Sequence, residues 1–289
     1  MKLKLAQRLL VSYYITQFKA LALVSPRRAA EKAFDLFCTP LPVKKHKKPP
    51  AAFETATRTL FRFEGMAIRG YQWVPAHANG KKVMVLHGFS SQVFKFDKYV
   101  QPLLKAGFEV YMFDAPAHGF SEGKRITAVL YKKILLEADR QFGPFYAMIG
   151  HSLGALAASL AFEEIAEPEQ RKLVLIAPAT ETETAIANFF RVIKVDPAVK
   201  EHFRALIREV GGKDIDYFSV NRAVRHIPSA ILWVHDRHDS ICPIKDIQPT
   251  LQASPAHIRF QLTEHLGHNR IYKDAGVIRD VVSFLEKGS

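Results

Sequence analysis

Residues 145–164 of the chain have the sequence FYAMIGHSLGALAASLAFEE. The first five residues are apolar, which is typical of a buried strand, and the stretch 153–164 has the composition of a helix. At the turn between them, Gly150 and Gly154 flank Ser152. A strand that passes directly into a helix predicts one repeating step of an α/β fold.

Apolar runs of the same kind occur on both sides of this unit. They are four residues long and unbroken, which is typical of strands buried on both faces of a parallel sheet. They lie at Val83–Leu86, Val110–Phe113, Leu173–Ile176 and Ile231–Val234, and a final strand is predicted at Ile258–Leu262. Helical stretches separate or follow them, notably Ala128–Phe142 and Val277–Lys287. The alternation predicts an α/β fold, with a mostly parallel sheet flanked by helices.

Two segments before the first of these runs alternate apolar and polar residues instead. They are Phe61–Glu64 and Ile68–Val74, and Gly65 lies between them. Alternation indicates strands with one face toward a core, and the short glycine turn indicates a hairpin. We therefore expect an antiparallel hairpin at one edge of the sheet.

One long segment interrupts the alternation of strands and helices. Residues 179–227 contain no convincing strand, and three stretches within them have helical patterns: Asn188–Ile193, Val199–Val210 and Ser219–Val224. Ligands bind at the carboxyl edge of an open α/β sheet, and the insertion begins just after one of the predicted strands. We expect a helical cap insertion over the site, within a domain of residues 51–289.

The first fifty residues differ from the rest in charge and in pattern. The chain has 41 lysines and arginines against 28 acidic residues, and much of the resulting net charge of +13 lies before residue 50. Residues 2–37 have a helical pattern that Pro26 should divide into two helices, because an interior proline breaks the hydrogen-bond ladder. The stretch Thr39–Pro50 is rich in proline and lysine and predicts an extended linker. Residues 1–50 are thus expected to form an N-terminal helical extension.

The apolar face of the first helix leaves two interpretations open. It can pack on the protein's own core, or it can lie against an anionic membrane surface that attracts the basic residues. No apolar run reaches the roughly 20 residues of a spanning helix, and the interrupted apolar start is a poor match to a signal peptide. We expect a cytoplasmic protein, with peripheral membrane contact through residues 1–50 as the alternative.

Composition excludes several classes of partner and site. Two cysteines, Cys38 and Cys242, cannot build a disulfide framework or a Cys-rich zinc site. The basic excess has no nucleic-acid motif and no basic and aromatic platform with it, so no nucleic-acid partner is expected. His235 and His238 lie close together, but no third metal ligand is evident nearby. We expect them to be solvated loop histidines and expect no metal site.

Ser152 is the candidate nucleophile. On a strand-to-helix turn, a G-x-S-x-G string holds its serine in a strained conformation that projects Oγ from the sheet. Side chains at Gly150 and Gly154 would collide as the strand and the helix pack together. The N-terminus of the helix that follows adds N–H donors and a partial positive charge where an oxyanion would develop.

From about residue 60 to its end, the chain resembles the α/β-hydrolase fold family, in its esterase, lipase and serine aminopeptidase-like branch. One matching loop is HGF at 87–89, and the nucleophile elbow is GHSLG at 150–154. The resemblance implies an oxyanion hole made by the N–H groups of Phe89 and Leu153. The supporting motif residues carried by the match are His87, Gly88, Gly150, His151 and Gly154.

A further stretch, DAPAHGFS at 114–121, is similar to the family's D-x-x-G-H-G-x-S loop. Ala117 replaces the usual glycine, and we assign this loop no catalytic role. Two histidines near these motifs, His118 and His151, are expected to serve as hydrogen-bonding scaffold.

The family order of Ser, Asp and His also implies an acid and a base. The stretch 235–243, HDRHDSICP, resembles the family's G-x-x-D-x-x-V-P loop and puts Asp239 at the acid position. Asp236, at the usual glycine position, is the rival, and otherwise it would cap or brace the loop. After the last strand, the family's G-H pattern selects His268 as the base over His265.

These residues imply a serine hydrolase with a catalytic triad and no metal or organic cofactor. His268 would take the proton of Ser152 while Asp239 holds the ring in the correct tautomer. The expected substrate is a small molecule with a carboxylic ester or thioester, as in esterases and lipases, and a serine peptidase of the aminopeptidase-like branch is the alternative. An alternative of another class is a non-catalytic, membrane-associated interaction protein that retains the fold, which the intact set of three residues disfavours.

Overall fold

Eight strands form one sheet in the described part of the protein. A computed structural model describes residues 5–41 and 49–287, and of residues 5–12 and 14 it describes only the backbone. In chain order the strands are β1 (Thr57–Phe63), β2 (Met66–Trp73), β3 (Lys82–Leu86), β4 (Glu109–Phe113), β5 (Ala147–His151), β6 (Lys172–Ile176), β7 (Ala230–Asp236) and β8 (Ile258–Thr263). The start of the predicted first helix and residues 42–48 of the predicted linker lie outside the described residues.

The order of the strands across the sheet is β1-β2-β4-β3-β5-β6-β7-β8. β2 runs antiparallel to both of its neighbours, and every pair from β4 to β8 is parallel. The predicted α/β fold, with a mostly parallel sheet and an antiparallel hairpin at one edge, is confirmed. Because parallel strands end on the same side, the loops after β3, β4, β5, β7 and β8 all leave from the carboxyl edge of the sheet.

β5 lies between β3 and β6 in the middle of the sheet and is buried along its whole length. Its residue Gly150 pairs with Leu86 of β3 and with Leu175 of β6. The strand was predicted two residues earlier, at 145–149. It extends to His151 because pairing with β6 continues up to that residue, so the turn at Ser152 starts directly at the carboxyl edge.

The described residues also form α-helices. In chain order they are α1 (Leu5–Val24), α2 (Pro26–Cys38), α3 (Asp97–Lys105), α4 (Ala128–Phe142), α5 (Leu153–Phe162), α6 (Thr182–Ile193), α7 (Pro197–Gly211), α8 (Val220–Ala223), α9 (Gln248–Ala253), α10 (Gly267–Arg270) and α11 (Ala275–Glu286). Val83 and Val85 of β3 belong to one buried cluster with apolar residues of α3 and α11. The alternating residues Met84 and Leu86 are equally buried, and α4 and α5 contact each other in the second layer.

The chain divides into two compact units. One comprises residues 40–180 and 219–289 and contains the sheet, and the other comprises residues 1–39 and 181–218. The second unit is helical. Within it, the Phe34 and Phe37 rings of α2 meet the Phe203 ring of α7 edge to face, with centroids 5.5 and 5.6 Å apart.

The N-terminal helical pattern is divided as predicted. α1 ends at Val24 and α2 begins at Pro26, and the Ser25 hydroxyl accepts a hydrogen bond from the Arg28 N–H at the start of α2. Proline at the first position of a helix is favourable because the missing N–H would have no partner there. Of the helices that the structure describes, none combines the length and the apolar character needed to cross a membrane.

Candidate active site

Ser152 lies between β5 and α5 with backbone angles φ 53° and ψ −119°. A positive φ is strained for a residue with a Cβ and costs on the order of 1–3 kcal/mol. Hydrogen bonds hold the strained turn from two sides. The Ser152 N–H donates to the Ile176 carbonyl of β6 at 3.2 Å, and the Ser152 carbonyl accepts from the N–H groups of Ala155 and Ala179, both at 3.1 Å. The sheet and the helix thus fix the serine backbone together, and the predicted strand, turn and helix are confirmed.

The two glycines of the turn are required by close packing. A Cβ on Gly150 would lie 2.6 Å from the Cα of Ala155, and a Cβ on Gly154 would lie 2.6 Å from the His87 carbonyl oxygen. Both distances are well below the 3.5–4.0 Å at which carbon atoms make favourable contacts. The second distance also shows that the loop after β3 lies directly against the first turn of α5.

Asp239 lies in the loop that follows β7 and His268 in the short helix α10 that follows β8, and their side chains come together. The distance between Asp239 Oδ2 and His268 Nδ1 is 2.8 Å, and the two residues are 4% and 9% exposed. An ionised carboxylate can only accept, so the Nδ1 atom carries the proton and donates it. This assignment leaves Nε2 of the neutral ring with a lone pair that can accept a proton.

The other oxygen of Asp239 organises its own loop. Oδ1 accepts hydrogen bonds from the N–H groups of Ile241 at 2.8 Å and Cys242 at 2.9 Å. The carboxylate therefore has three donors although it is buried, which offsets the cost of removing a charge from water. Its orientation toward His268 is fixed by the backbone of the loop itself.

Asp236 does not contact the His268 ring but connects the same two loops. Its carboxylate accepts from the His238 N–H at 2.9 Å, the Thr263 hydroxyl at 2.8 Å and the Leu266 N–H at 2.9 Å. Burial opposes ionisation of this group, but these hydrogen bonds outweigh burial and lower the pKa of Asp236 below its ordinary value. The structure thus brings Asp239, and not its rival, onto the histidine ring.

The Phe89 and Leu153 N–H groups have no hydrogen-bond partner among the described residues. Leu153 is the first residue of α5, where N–H groups have no partner within the helix. The Gly88 carbonyl accepts a hydrogen bond from His87 Nδ1 at 2.8 Å. Because a trans peptide directs its C=O and N–H to opposite sides, this bond also fixes the direction of the Phe89 N–H. A Cβ on Gly88 would lie 2.9 Å from the Ser152 Cβ, so this loop touches the elbow.

The motif histidines around the elbow are bound to backbone groups. His87 Nε2 accepts from the Ala115 N–H at 3.0 Å, and the ring nitrogens of His118 meet the Pro116 carbonyl and the Ser90 N–H at 2.8 and 3.0 Å. Burial lowers the pKa values of His87 and His118 to about 4, so both rings are neutral near pH 7. Neutral rings with both nitrogens engaged are unable to shuttle protons.

His151 links the elbow to the loop of the candidate base. Its Nε2 donates to the main-chain carbonyl of His268 at 3.0 Å, and its ring contacts that of Tyr272, with the centroids 4.4 Å apart. Burial lowers the pKa of His151 well below its ordinary value. The side chain next to the nucleophile in sequence therefore positions the backbone of His268.

The expectation that His235 and His238 are both solvated is wrong for His235. β7 continues through His235 to Asp236, so the His235 side chain is fully buried, and its Nε2 donates to the Cys242 carbonyl at 2.9 Å. His238 is exposed and its ring stacks on that of His265, with the centroids 4.3 Å apart. The rival base His265 thus lies against another histidine instead of a carboxylate.

Cys242 was not singled out by sequence, yet its thiol lies beside the candidate catalytic residues. Its sulfur and a ligand atom of both Asp239 and His268 lie within 4.8 Å of one another, and the Ser152 hydroxyl also faces the thiol. Burial, followed by the charges of Asp239 and Asp246, raises the pKa of the Cys242 thiol well above its ordinary value, so it is protonated near pH 7. The sequence offered one indication of this location: Cys242 occupies the valine position of the G-x-x-D-x-x-V-P pattern, three residues after Asp239.

The Ser152 hydroxyl makes no hydrogen bond with the His268 ring in the described part of the chain. Such bonds are often long in the absence of substrate and shorten when substrate binds. The residues that the structure joins directly are therefore Asp239 with His268 through their side chains, and the elbow with His268 through His151.

A protein-family model described as serine aminopeptidase, S33, matches residues 77–227, just over half of the chain. The chain belongs to this family. The matched residues include Phe89 and the elbow at Ser152, whereas the loops that carry Asp239 and His268 lie beyond them. The family match therefore covers the nucleophile side of the site, and the acid and base rest on the geometry above.

One curated relative and several solved structures are also similar to the chain. The uncharacterized protein YqkD of Bacillus subtilis (strain 168) is 29% identical over 119 residues, which are 38% of this chain and 39% of the relative's length. An esterase of Pyrococcus furiosus is 20% identical, with a TM-score of 0.64 over 87% of this chain and 98% of that one. The thioesterase domain from the curacin biosynthetic pathway is 15% identical, with a TM-score of 0.57 over 80% and 99% of the two chains. At these identities the structures show the fold alone, which is that of the α/β hydrolases.

Proposed function

We propose that the protein is a serine hydrolase that cleaves carboxylic esters or thioesters through an acyl-enzyme on Ser152. The observation that carries the proposal is the 2.8 Å hydrogen bond between Asp239 and His268 at the same sheet edge as the strained Ser152 turn. A buried carboxylate that fixes the tautomer of a histidine is what a serine needs in order to become a nucleophile.

The proposed reaction begins with proton transfer from Ser152 Oγ to His268 Nε2 as Oγ attacks the substrate's carbonyl carbon. The negative charge that develops on the carbonyl oxygen is stabilised by the N–H groups of Phe89 and Leu153, at roughly 3–4 kcal/mol for each donor in comparable sites. His268 then protonates the leaving group, and an acyl-serine remains. Water that has lost its proton to His268 attacks this ester and restores the free hydroxyl.

A peptidase of the aminopeptidase type is the second candidate, and the match to the serine aminopeptidase family favours it. The same proton transfers would cleave an amide, but the leaving group would be an amine, which requires protonation by His268 before it departs. An aminopeptidase also has to recognise the free ammonium group of its substrate. Activity on amino-acid amides without activity on esters would support this candidate.

A substrate series tests the proposal. Purified full-length protein is assayed on p-nitrophenyl esters from acetate to palmitate, on acyl thioesters, and on amino-acid p-nitroanilides. We expect ester or thioester hydrolysis that Ser152→Ala abolishes. The matched control is Ser159→Ala, since Ser159 is a buried serine on α5 whose hydroxyl donates to the Leu156 carbonyl. Equal ester hydrolysis by wild type and Ser152→Ala would overturn the proposal.

A further inference from the structure

Three side chains of metal-ligand type meet in the described part of the chain. Asp239, Cys242 and His268 each offer a ligand atom, and these atoms lie within 4.8 Å of one another. All three residues are buried. The group combines a carboxylate oxygen, a sulfur and an imidazole nitrogen, which is a donor set that zinc accepts.

Hydrogen bonds hold the Asp239 and His268 side chains and the backbone of Cys242 in this arrangement. Asp239 and Cys242 are three residues apart on one turn, and the Cys242 N–H donates to the Asp239 carboxylate at 2.9 Å. The Cys242 carbonyl accepts from the buried His235 ring at 2.9 Å. His268 is held to the same carboxylate at 2.8 Å. The backbone of Cys242 is thus fixed on both sides, with its sulfur near the other two ligand atoms.

The spacing is close to that of a zinc site. With zinc–sulfur bonds of about 2.3 Å and zinc–nitrogen or zinc–oxygen bonds of about 2.0–2.2 Å, neighbouring ligand atoms on a tetrahedron are about 3.4–3.6 Å apart. The present atoms lie within 4.8 Å of one another, and Asp239 Oδ2 and His268 Nδ1, which are 2.8 Å apart, would exchange their hydrogen bond for bonds to the ion and move apart. The fourth position is open to water or to the Ser152 hydroxyl, which faces the Cys242 thiol.

We infer that Asp239, Cys242 and His268 bind one zinc ion, which reversibly inhibits the enzyme by occupying its acid and base. This inference rests on the proposed function for the inhibition, although the ion-binding part stands without it. The ion is an inhibitor here and takes no part in the hydrolytic reaction.

Either ring nitrogen of His268 would lose its catalytic use on binding the ion. If Nε2 binds zinc, its lone pair is no longer available to the Ser152 proton. If Nδ1 binds zinc, the ring proton moves to Nε2, which then has no lone pair to offer. In both cases the Cys242 thiol gives its proton to solvent and binds as a thiolate, so one proton is released and no electron transfer is required.

The test uses metal-free, full-length protein and zinc chloride. Zinc affinity is measured by competition with a chromophoric chelator, and the hydrolysis rate of a p-nitrophenyl ester is followed over the same zinc range. We expect one zinc per chain and loss of activity as the site fills, with recovery on addition of EDTA. Cys242→Ser should weaken zinc binding by at least about tenfold. Each variant's rate is compared with its own metal-free rate.

The matched control is Cys38→Ser, which changes the other buried cysteine of the chain, on α2, and should leave zinc affinity unchanged. Cys242→Ala repeats the test should the serine variant fail to fold. Equal zinc affinity in wild type and both Cys242 variants would overturn the inference, as would a filled site with an undiminished hydrolysis rate. Zinc binding that depends on Cys242 in a protein that hydrolyses no substrate would instead retain the site and remove the proposed function.

Discussion

Two groups of loops at the carboxyl edge of the sheet carry buried histidines, but they use them differently. In the loops after β3 and β4, both ring nitrogens of His87 and of His118 are hydrogen-bonded to backbone groups. In the loop after β8, His268 uses one nitrogen for the carboxylate of Asp239. Both kinds of partner fix a tautomer, but only a carboxylate adds a negative charge that stabilises a positive ring. Burial alone therefore does not distinguish the proposed base from the other buried histidines, and the identity of its partner does.

The same contrast separates two carboxylates three residues apart. Asp236 accepts from the backbone of the loops on both sides and from Thr263, and it thereby joins the loops after β7 and β8. Asp239 also accepts from backbone N–H groups, but it reserves one oxygen for His268. One carboxylate holds the loops in place, and the other faces the proposed base.

The largest expected effect comes from exchanging these carboxylates for amides one at a time. Asp239→Asn should lower kcat by about 10³–10⁴-fold, because an amide no longer stabilises the correct tautomer and the positive ring of His268. Asp236→Asn should lower kcat much less and should reduce the free energy of unfolding more, because it weakens the link between the two loops. Ester hydrolysis and urea unfolding are measured on both variants. A greater loss of kcat in Asp236→Asn would reverse the assignment.

Sequence was sufficient for the loops whose chemistry is local. The elbow could be predicted because its glycines, strand and helix are consecutive, and close packing at Gly150 and Gly154 allows no side chain there. The position of Asp239 followed from a loop pattern in the same way. His235 was misjudged because the end of β7 is set by pairing with β8, in which Asp236 lies opposite Thr263. The composition of residues around His235 does not predict how far the pairing of β7 with β8 extends.

Contacts between residues that are far apart in the chain could not be predicted from the sequence. The Cys242 thiol meets His268 only because two separate loops converge at the sheet edge. In the helical unit, the helical pattern of α2 could be predicted, but the contact of Phe34 with Phe203 joins residues some 170 positions apart. An amphipathic pattern predicts that a helix packs on another surface, but it does not predict which residues form that surface.

The next effect is a fall in stability on acidification, caused by the scaffold histidines. Burial lowers the pKa of His87 to about 4 in the folded protein. Between this value and the ordinary pKa of roughly 6.5, the unfolded chain binds the proton and the folded protein does not, so stability decreases as the pH falls. From about pH 7 to about pH 5, His87 alone should lower the free energy of unfolding by about 2 kcal/mol.

Urea unfolding across this pH range measures the effect. His87→Asn should reduce the pH dependence by the share of His87, while His118 and His151 still contribute, whereas the matched change at the exposed His226 should leave it as in the wild type. If the wild type is equally stable at both pH values, His87 does not remain neutral in the folded protein, and the contrast between the two groups of loops fails.

The smallest effect is expected at Ala117, which replaces the usual glycine of the loop after β4. Its φ is +64°, where an L-residue costs about 1–2 kcal/mol and glycine does not. Ala117→Gly should therefore raise the free energy of unfolding by up to about 1 kcal/mol, since the greater freedom of glycine in the unfolded chain offsets part of the gain. The control is Ala115→Gly, two residues earlier and at a negative φ, which should destabilise the protein. Destabilisation by both changes would mean that Ala117 is not strained.

The central claim is that Ser152 is the nucleophile of this site, and covalent labelling tests it most directly. The folded protein is treated with a fluorophosphonate, which reacts with activated serines, and the adduct is located by mass spectrometry of its peptides. We expect one adduct per chain, on the peptide that contains Ser152, with no adduct in Ser152→Ala and wild-type labelling in Ser159→Ala. Folded wild-type protein that does not react, or an adduct that persists in Ser152→Ala, would contradict the account.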